Sequence, residues 1–387
     1  MTIEHIRQGL YYKIRPFVSV LFYILPIKNN KIVFDNFLGG GYGDNPRYIA
    51  EELMKRKIKL DIVWLTDDST GMPSSIRIVP RESLRALFEM STAKIWIDNV
   101  RNNYKPLKKN HQIYLQTWHG CFPAKKIEGE EKKLSQNYIS AAKLDGQICD
   151  AIVTGGEYCH SIMEHYFWLS DSAERLNVSP PKLDVLFDEN YKNKTRKNVR
   201  NKLGLDNKDF VVLYAPTFRD YEDTSGYIND FTELRRAFFE RYHMNVVIIV
   251  RLHPNTKVMN FTGRYIDVTK YPDINELYCI TDALVTDYSS VSIEFACIFK
   301  KPVFLYMEDY DKYRSEREIS SLINNAPFKK NKCFSELIDC ILKYKDYREE
   351  NEYFDNLIYN PGMGAKVCVD WLLSETKKRR GRFLRDD

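Results

Sequence analysis

The stretch KIVFDNFLGGGYGDNPRYIAEELMKR, residues 31–56, decides the fold class. Its first part, KIVFDNF (31–37), is dominated by Ile, Val and Phe and predicts a buried strand. Its last part, NPRYIAEELMKR (45–56), predicts a helix with Asn45 as the N-cap and Pro46 in the first turn. A glycine-rich loop joins the two. Strand, loop and helix together predict the first half of a βαβ unit in a mostly parallel sheet.

The same alternation continues along the chain in two series, which are separated by a charged stretch at 188–202. In the first series, further strands are predicted at 60–66, 94–100, 112–118 and 151–156, with helices at 83–93 and 157–167. In the second, strands are predicted at 210–217, 245–253, 265–269, 283–287 and 302–306, with helices at 231–242, 273–281 and 290–299. Two series of this kind predict two Rossmann-like α/β domains whose parallel sheets face a central cleft.

The composition is that of a globular protein, with 44% hydrophobic residues and a net charge of only +5, which argues against nucleic-acid binding. Two basic runs stand out, KTRKNVRNK (194–202) and KKRRGRFLR (377–385). Such runs are solvated faces or contact anionic lipid or a polyanionic substrate. The eight cysteines form no C-x-x-C pair, which is typical of free thiols in a reducing compartment.

Near the N-terminus, the apolar stretch FVSVLFYILPI (17–27) is too short to span a bilayer, and no small-residue cleavage site follows it. Two interpretations are open. The stretch is a helix packed on the domain, or it is an interfacial helix lying on a membrane. In the second interpretation, the lipid-facing residues are Tyr11, Tyr12, Phe17, Phe22 and Tyr23, and the headgroup-facing residues are Lys13 and Arg15.

Two histidines follow predicted strands, one in each half of the chain. His119 ends the strand 112–118, and His253 ends the strand 245–253 together with Arg251. Ligands of open parallel sheets bind at the carboxyl ends of the strands, and a histidine with a pKa of about 6.5 is suited to general base catalysis there. We expect Gly120 to relieve crowding in the turn after His119. The alternative is that each histidine is structural.

The segment LVTDYSSVSIEFA (284–296) predicts an anion site. Its strand ends at Asp287, and Ser289 and Ser290 stand at the start of a helix, where hydroxyls and free backbone N–H groups bind phosphate. The alternative is that Ser289 is only an N-cap. Another strand end supplies Thr217 and Arg219, whose guanidinium suits a phosphate unless it pairs with Asp220 in a surface loop.

Further candidates lie in the first half of the chain. Lys125 and Lys126 add positive charge after His119, and Gly41 belongs to a glycine loop that either lets backbone approach a ligand or is a plain turn. No G-x-G-x-x-G, P-loop or metal-binding pattern is present, so neither a cofactor nor a metal is predicted. The combination of histidines, cations and a helix start suits phosphoryl transfer to a hydroxyl.

Four motifs carry a resemblance to a known family. YLQTWHG (114–120), LYAPTFRD (213–220), RLHPN (251–255) and ITDALVTDYSSVSIEF (280–295) resemble the CDP-glycerol:glycerophosphotransferase family in order and approximate spacing. That family makes wall teichoic acids and related capsular polymers. FDNFLGGGYGDNPRYIAEEL (34–53) also looks like the family's first loop and helix.

The resemblance implies a GT-B-like fold and a metal-independent transfer. Glycerol phosphate or ribitol phosphate would pass from CDP-glycerol or CDP-ribitol to a hydroxyl of a lipid-linked or capsular polymer acceptor, with release of CMP. It also implies a peripheral protein at the cytoplasmic face of a bacterial cell membrane. The implied regions are an amphipathic membrane-associating segment (1–28), an acceptor domain (29–187), a nucleotide-donor domain (188–365), and a C-terminal helix with a basic tail (366–387).

By motif match, His119 would be the base, His253 would lie at the donor phosphates, and Ser289 and Ser290 would bind the pyrophosphate. The full set assigned to the donor phosphates is Thr217, Arg219, Arg251, Asp287, Ser289 and Ser290. The set assigned to the acceptor or phosphate side is Lys125, Lys126, Gly41 and Asn45.

One departure from the family pattern concerns VSPPKLD (178–184), where Lys182 replaces the usual arginine. It bears on the polyol and the acceptor rather than on the reaction class. Two rival functions stay open: a GT-B glycosyltransferase using a nucleotide sugar, with Glu294 as its candidate nucleotide ligand, and an inactive membrane-bound scaffold of a polymer-synthesis complex.

Overall fold

The computed structural model describes residues 3–102, 105–217, 229–252, 261–262, 264–316, 318–346 and 351–379. Its contacts divide the chain into two compact units. The first unit contains Met1–Cys121, Glu128–Asp184 and Ile358–Asp387, and the second contains Phe122–Ile127 and Val185–Leu357.

The first unit is built on a seven-stranded sheet in which all paired neighbours run parallel. The strands are β1 (Lys28–Asp35), β2 (Asp61–Leu65), β3 (Arg77–Val79), β4 (Ala93–Asp98), β5 (Ile113–Gln116), β6 (Ala151–Val153) and β7 (Glu174–Leu176). Their order is β3-β2-β1-β4-β5-β6-β7, so the direction in which the sheet grows reverses between β1 and β4. In doubly wound sheets, ligands bind at such a reversal.

The second unit repeats this design with a six-stranded parallel sheet. The second unit's strands are β8 (Phe210–Tyr214), β9 (Asn229–Asp230), β10 (Val246–Val250), β11 (Phe261–Thr262), β12 (Ile266–Asp267), β13 (Ala283–Thr286), β14 (Val303–Tyr306) and β15 (Lys329–Asn331). The order is β12-β10-β8-β13-β14-β15, with the reversal between β8 and β13; β9 and β11 form a separate pair. The predicted class of two α/β domains with parallel sheets is confirmed.

Helices connect the strands in both units. They are α1 (Ile3–Tyr23), α2 (Asp44–Lys55), α3 (Leu84–Thr92), α4 (Gln136–Ile148), α5 (Glu157–Tyr166), α6 (Glu189–Lys202), α7 (Thr232–Tyr242), α8 (Ile274–Ile280), α9 (Val291–Phe299), α10 (Tyr310–Glu316), α11 (Ser321–Asn325), α12 (Phe334–Leu342), α13 (Asn351–Phe354) and α14 (Gly364–Lys378). The charged stretch 188–202 is itself a helix, because Asp188 caps α6 by accepting from the N–H groups of Asn190 and Tyr191.

The last helix belongs to the first unit. Val369 and Leu372 of α14 are fully buried in the same apolar core as Ile32 and Trp64 of the central strands. The unit boundaries therefore differ from the predicted regions at 188–365 and 366–387, because residues from 358 onward return to the first unit. The second unit has its own core between its sheet and helices α7 and α12.

Helix α1 packs against α3 of the first unit. Phe22 packs edge-on against Phe88 of α3 at 5.8 Å between ring centroids, and Ser19 accepts a hydrogen bond from the Leu107 N–H. Phe17 and Leu21, four residues apart and thus on one helix face, are 79% and 62% exposed. In the described part of the chain, every helix falls short of the length and apolarity needed to cross a bilayer.

Candidate functional site

The backbone turn that presents His119 is made by Trp118. Strand β5 ends at Gln116, and Trp118 then adopts a left-handed conformation with φ of 51°. The Gln116 side chain accepts from the Trp118 N–H at 2.9 Å and holds this turn. Gly120, expected to be the residue that relieves the turn, does not do so: a Cβ there would meet no atom within 4 Å.

The His119 ring has a defined tautomer. Its Nδ1 lies 2.9 Å from the Asn99 carbonyl oxygen, which can only accept, so Nδ1 carries the proton and Nε2 keeps its lone pair. The ring lies against those of Trp118 and Phe37, with centroid distances of 4.4 and 5.5 Å. Burial lowers the pKa of His119 below its ordinary value. The imidazole is therefore neutral at pH 7 and has one accepting nitrogen.

Two opposite charges flank this histidine. The Asp44 carboxylate accepts from the Asn99 amide at 3.0 Å and lies 3.4 Å from the Lys182 ammonium. Lys182 in turn donates to the His119 carbonyl at 2.9 Å. After burial, which is the largest effect, Asp44 raises the His119 pKa and Lys182 lowers it. The two charges thus offset each other beside the base.

Asn45 is not the N-cap of α2. The helix begins one residue earlier, at Asp44, with Gly43 in the cap position and no side-chain cap. The buried Asn45 amide is used elsewhere, donating to the Trp118 carbonyl at 2.8 Å and accepting from the Lys182 N–H at 3.0 Å. Asn45 therefore joins the two segments that carry His119 and Lys182.

Gly41 shapes the glycine loop, and its predicted place on the acceptor or phosphate side stays a prediction. Its carbonyl accepts from the Asn36 amide at 3.0 Å and from the Trp64 indole N–H at 3.1 Å. Its φ is 89°, and a Cβ would come 3.2 Å from the Asp68 carboxylate. Glycine is required here by the loop itself.

Sequence reasoning missed the roles of Asn99, Asp44 and Lys182 around the base. Asn99 follows β4, the strand next to β5, and Asp44 directly precedes the predicted Asn45. Both stand after strands at the carboxyl edge, next to the reversal between β1 and β4. The signal that could have revealed Asn99 is therefore the same strand-end position that revealed His119.

Lys125 and Lys126 follow His119 closely in the chain but belong to the second unit. Lys126 forms an ion pair with Glu318 at 2.7 Å. Lys125 makes an isolated backbone bridge to Ile319, and its ammonium lies 5.4 Å from the Tyr313 ring centroid. These contacts tie the 122–127 segment to the second unit.

In the second unit, Asp287 lies where the strand order reverses. It directly follows β13, it is buried, and its carboxylate accepts from the Thr217 N–H at 2.9 and 3.2 Å and from the Tyr288 N–H at 2.6 Å. Thr217 follows the neighbouring strand β8. These hydrogen bonds hold together the loops that follow β8 and β13, and the predicted place of Asp287 at the donor phosphates stays a prediction.

The start of α9 leaves a hydroxyl available beside its N-terminus. Ser290 occupies the cap position in helical conformation, with φ of −58° and no side-chain cap hydrogen bond to the described backbone. The Ser289 hydroxyl lies at 3.5 Å from the Val291 N–H, a marginal cap. Both serines are partly exposed. The N-terminal N–H groups of a helix with free hydroxyls suit an anionic group.

Arg251 follows β10 at the same edge of the sheet but is held by backbone. Its Nη1 donates to the Tyr271 carbonyl at 2.5 Å, and burial lowers the pKa of its guanidinium. His253 and Arg219 lie outside the described residues, so their predicted places at the donor phosphates stay predictions.

Two doubly wound parallel sheets, one bearing a histidine at a strand end and the other a helix start suited to phosphate, define a GT-B-like α/β protein. The sequence profile of the CDP-glycerol:poly(glycerophosphate) glycerophosphotransferase family matches residues 17–358. The chain belongs to this family, and the predicted class of enzyme, a glycerophosphotransferase, is confirmed.

Individual relatives agree with this assignment. A teichoic acid poly(glycerol phosphate) polymerase from Staphylococcus epidermidis is 30% identical over 301 residues, which are 74% of this chain and 41% of that protein. A teichoic acid glycerol-phosphate transferase from Staphylococcus aureus is 32% identical over 309 residues, 76% of this chain and 77% of that protein. The chain thus spans less than half of the first relative and about three quarters of the second.

A solved structure confirms the fold. The structure of a variant of the wall teichoic acid polymerase TagF superposes with a TM-score of 0.81 at 24% identity, covering 98% of this chain and 99% of that chain. The likeness extends over both units and supports the GT-B-like class.

Proposed function

We propose that this protein transfers glycerol phosphate from CDP-glycerol, or ribitol phosphate from CDP-ribitol, to a hydroxyl of a polymer acceptor. The observation that carries the proposal is the His119 ring, whose Nδ1 is committed to the Asn99 carbonyl and whose Nε2 is free to accept a proton. A neutral imidazole with one accepting nitrogen at a strand's carboxyl end is what a general base requires.

The chemical step is an in-line displacement. The acceptor hydroxyl gives its proton to His119 Nε2, and its oxygen forms a bond to the β-phosphorus of the CDP-polyol. The bond between that phosphorus and the oxygen bridging to the α-phosphate breaks, and CMP leaves with the electron pair. The negative charge on the transferring phosphoryl group is what the site must stabilise. Most of the rate enhancement therefore comes from positioning the two substrates and from fixed hydrogen-bond donors at the phosphates.

We assign the donor phosphates to the second unit. The hydroxyls of Ser289 and Ser290 and the N-terminal N–H groups of α9 would bind the pyrophosphate. The buried Asp287 holds the Thr217 loop in place through the backbone. His253 and Arg219 would add charge at the same phosphates, as the motif match implies. No metal or cofactor is required in this scheme.

We also propose an acceptor and a location for this reaction. The acceptor would be a lipid-linked polymer of teichoic acid or capsule type, because the S. aureus relative is a teichoic acid glycerol-phosphate transferase. The exposed apolar face of α1, with Phe17 and Leu21, would attach the protein peripherally to the cytoplasmic face of a bacterial membrane. We propose no nucleic-acid partner.

The rival functions are less well supported. A nucleotide-sugar transferase would need Glu294 as a nucleotide ligand, but this carboxylate is buried within α9 and its Oε2 lies 3.4 Å from the Tyr278 hydroxyl. The function of an inactive scaffold would not require the hydrogen-bonded and charged groups Asn99, Lys182 and Asp44 around His119.

A donor panel tests the function. Purified protein is incubated with bacterial membranes as acceptor and with CDP-glycerol, CDP-ribitol, UDP-N-acetylglucosamine or GDP-mannose, and nucleotide release is followed. We expect CMP from at least one CDP-polyol and no UDP or GDP from the sugars. Release of UDP or GDP alone would establish the glycosyltransferase, and binding of no cytidine nucleotide by calorimetry would establish the scaffold.

A further inference from the structure

A cationic cavity lies at the edge of the first sheet opposite to His119. It has a volume of about 430 Å³, and its lining includes Tyr23, Leu25, Lys94, Lys109 and His111. Lys94 stands at the start of β4 and His111 just before β5, so the cavity faces the amino ends of these strands. His119 lies at their carboxyl ends. The cavity is therefore separate from the proposed active site.

Two buried ammonium groups give this cavity its charge. Lys109 is 8% exposed, and its Nζ donates to the carbonyls of Leu25 at 2.5 Å and Ser91 at 2.7 Å. Lys94 is 1% exposed and donates to the carbonyls of His111 at 2.6 Å and Arg379 at 3.2 Å. The carbonyls around Lys109 are dipoles that orient its ammonium group without neutralising its charge.

The charge of Lys109 has no visible compensation. Burial lowers the pKa of Lys109, and no carboxylate of the described residues acts on it. Within those residues, its ammonium group contacts the two carbonyls and the Tyr23 ring, whose centroid lies 6.0 Å away. Arg379 at the cavity differs, because its guanidinium pairs with Asp150 at 2.9 Å and Glu375 at 3.1 Å. An anion entering the cavity would supply the missing counter-charge.

The exposed apolar face of α1 ends at this cavity. Phe17 and Leu21 of α1 are 79% and 62% exposed, and Ile24, which directly follows the helix, is 79% exposed. Tyr23 and Leu25 line the cavity itself. A ligand that occupies the cavity and also covers the apolar face would have an anionic head next to apolar chains. A soluble phosphate would bind in the cavity but would leave the apolar face exposed.

We infer that this cavity binds the phosphate of an anionic glycerophospholipid, whose acyl chains lie beside the apolar face of α1. Lys109 and Lys94 would face the phosphate, and His111 would stand at the rim. The inference rests on the proposed peripheral membrane attachment and deepens it, since it names the lipid class and the residues that select it. The affinity of the protein for membranes would then depend on a specific lipid-binding cavity as well as on the amphipathic character of α1.

Vesicle binding tests the inference. Purified protein is floated with phosphatidylcholine vesicles that contain no anionic lipid or 30 mol% phosphatidylglycerol, a composition chosen for roughly physiological surface charge. We expect Lys109→Gln to weaken binding to the anionic vesicles about fivefold, the effect of one cation at a surface, and to leave binding to neutral vesicles unchanged. Lys55→Gln, on the exposed side of α2, is the control and should match the wild type.

A second measurement, by nuclear magnetic resonance, localises the ligand in the wild-type protein. His111 is exposed, so His111→Gln should fold normally. The imidazole proton resonance that is missing from its spectrum identifies His111 among the seven histidines of the chain. Titration with dihexanoyl phosphatidylglycerol, kept below its critical micelle concentration, should shift that resonance in the wild type and not in Lys109→Gln. Inorganic phosphate should shift it only at much higher concentration.

The outcomes separate the two proposals. If the wild type binds neither vesicle, peripheral attachment itself is wrong and the lipid site fails with it. If the wild type binds but Lys109→Gln behaves like Lys55→Gln, or if the His111 signal does not move, the cavity is not a lipid site and peripheral attachment stands. An equal response of His111 to inorganic phosphate would show a site for free phosphate instead.

Discussion

At the scale of single residues, the structure assigns a tautomer to His119, which the sequence shows only as a histidine at a strand end. Its Nδ1 is occupied by a carbonyl from the loop after β4, and its ring is kept neutral by burial. The position of His119 could be predicted because it follows an apolar run before a glycine. The tautomer could not, because Asn99 and Asp44 approach it only after the strands β1, β4 and β5 have aligned.

The two charges beside His119 predict opposite shifts of the pH profile. A base acts when neutral, so kcat/KM falls as pH drops through the pKa of His119, and burial places this acid limb below that of a free histidine. Asp44→Asn removes the group that raises this pKa and should move the limb to lower pH. Lys182→Gln removes the group that lowers it and should move the limb to higher pH.

The control for this pair is Asp370→Asn, which neutralises an exposed carboxylate on α14 that pairs with Arg56. Its acid limb should coincide with that of the wild type. Shifts of Asp44→Asn and Lys182→Gln in the same direction would contradict the arrangement of charges around the ring.

At the scale of elements, the start of α9 carries the proposed donor site. The predicted helix 290–299 matches Val291–Phe299, and the predicted helix 45–56 matches Asp44–Lys55 within one residue. The ends of these two helices could be predicted because apolar periodicity and the position of a proline can be read from a short stretch of sequence. The prediction that Asn45 caps α2 was wrong. The Asn45 side chain forms hydrogen bonds with Trp118 and Lys182 instead, and both residues are distant in the sequence.

Removing the Ser290 hydroxyl should affect donor binding but not folding. This hydroxyl makes no cap hydrogen bond, so Ser290→Ala should leave the thermal unfolding midpoint unchanged. Losing one hydrogen bond to a charged phosphate should raise the KM for CDP-glycerol roughly tenfold. Initial rates over a range of donor concentrations give this value.

Ser292→Ala is the matched control two residues further into the helix. The Ser292 hydroxyl donates to the Ser289 carbonyl at 2.8 Å and is buried, so this variant should lose about 1 kcal/mol of stability. Its KM should stay close to that of the wild type. An unchanged KM in Ser290→Ala would remove the serine hydroxyl from the donor site.

At the scale of the whole molecule, two α/β halves could be predicted because each strand–helix repeat is encoded within a short stretch of sequence. The return of the C-terminal segment to the first unit could not, because it depends on contacts far apart in the chain. Asp184 accepts from the N–H groups of Gly364 and Ala365 at 2.9 and 2.7 Å and so joins α14 to the segment that carries Lys182.

Gly364 is where this junction is tightest. A Cβ at Gly364 would lie 2.2 Å from the Ser179 carbonyl oxygen, so Gly364→Ala forces backbone apart and should cost about 1–3 kcal/mol of unfolding free energy. Chemical denaturation measures this loss. Gly120→Ala, whose Cβ meets nothing within 4 Å, should show no comparable change. Equal stability of the two variants would argue against docking of α14 at this point.

The central claim is that His119 takes the proton from the acceptor, and its most direct test is CMP release by His119→Ala. Release from CDP-glycerol in the presence of membrane acceptor should fall at least about a hundredfold, the usual contribution of a general base. Calorimetric binding of CDP-glycerol and the far-ultraviolet circular dichroism spectrum should be retained. His165→Ala, an exposed histidine of the same unit, should release CMP like the wild type. Undiminished CMP release by folded His119→Ala would contradict the assignment of His119 as the base.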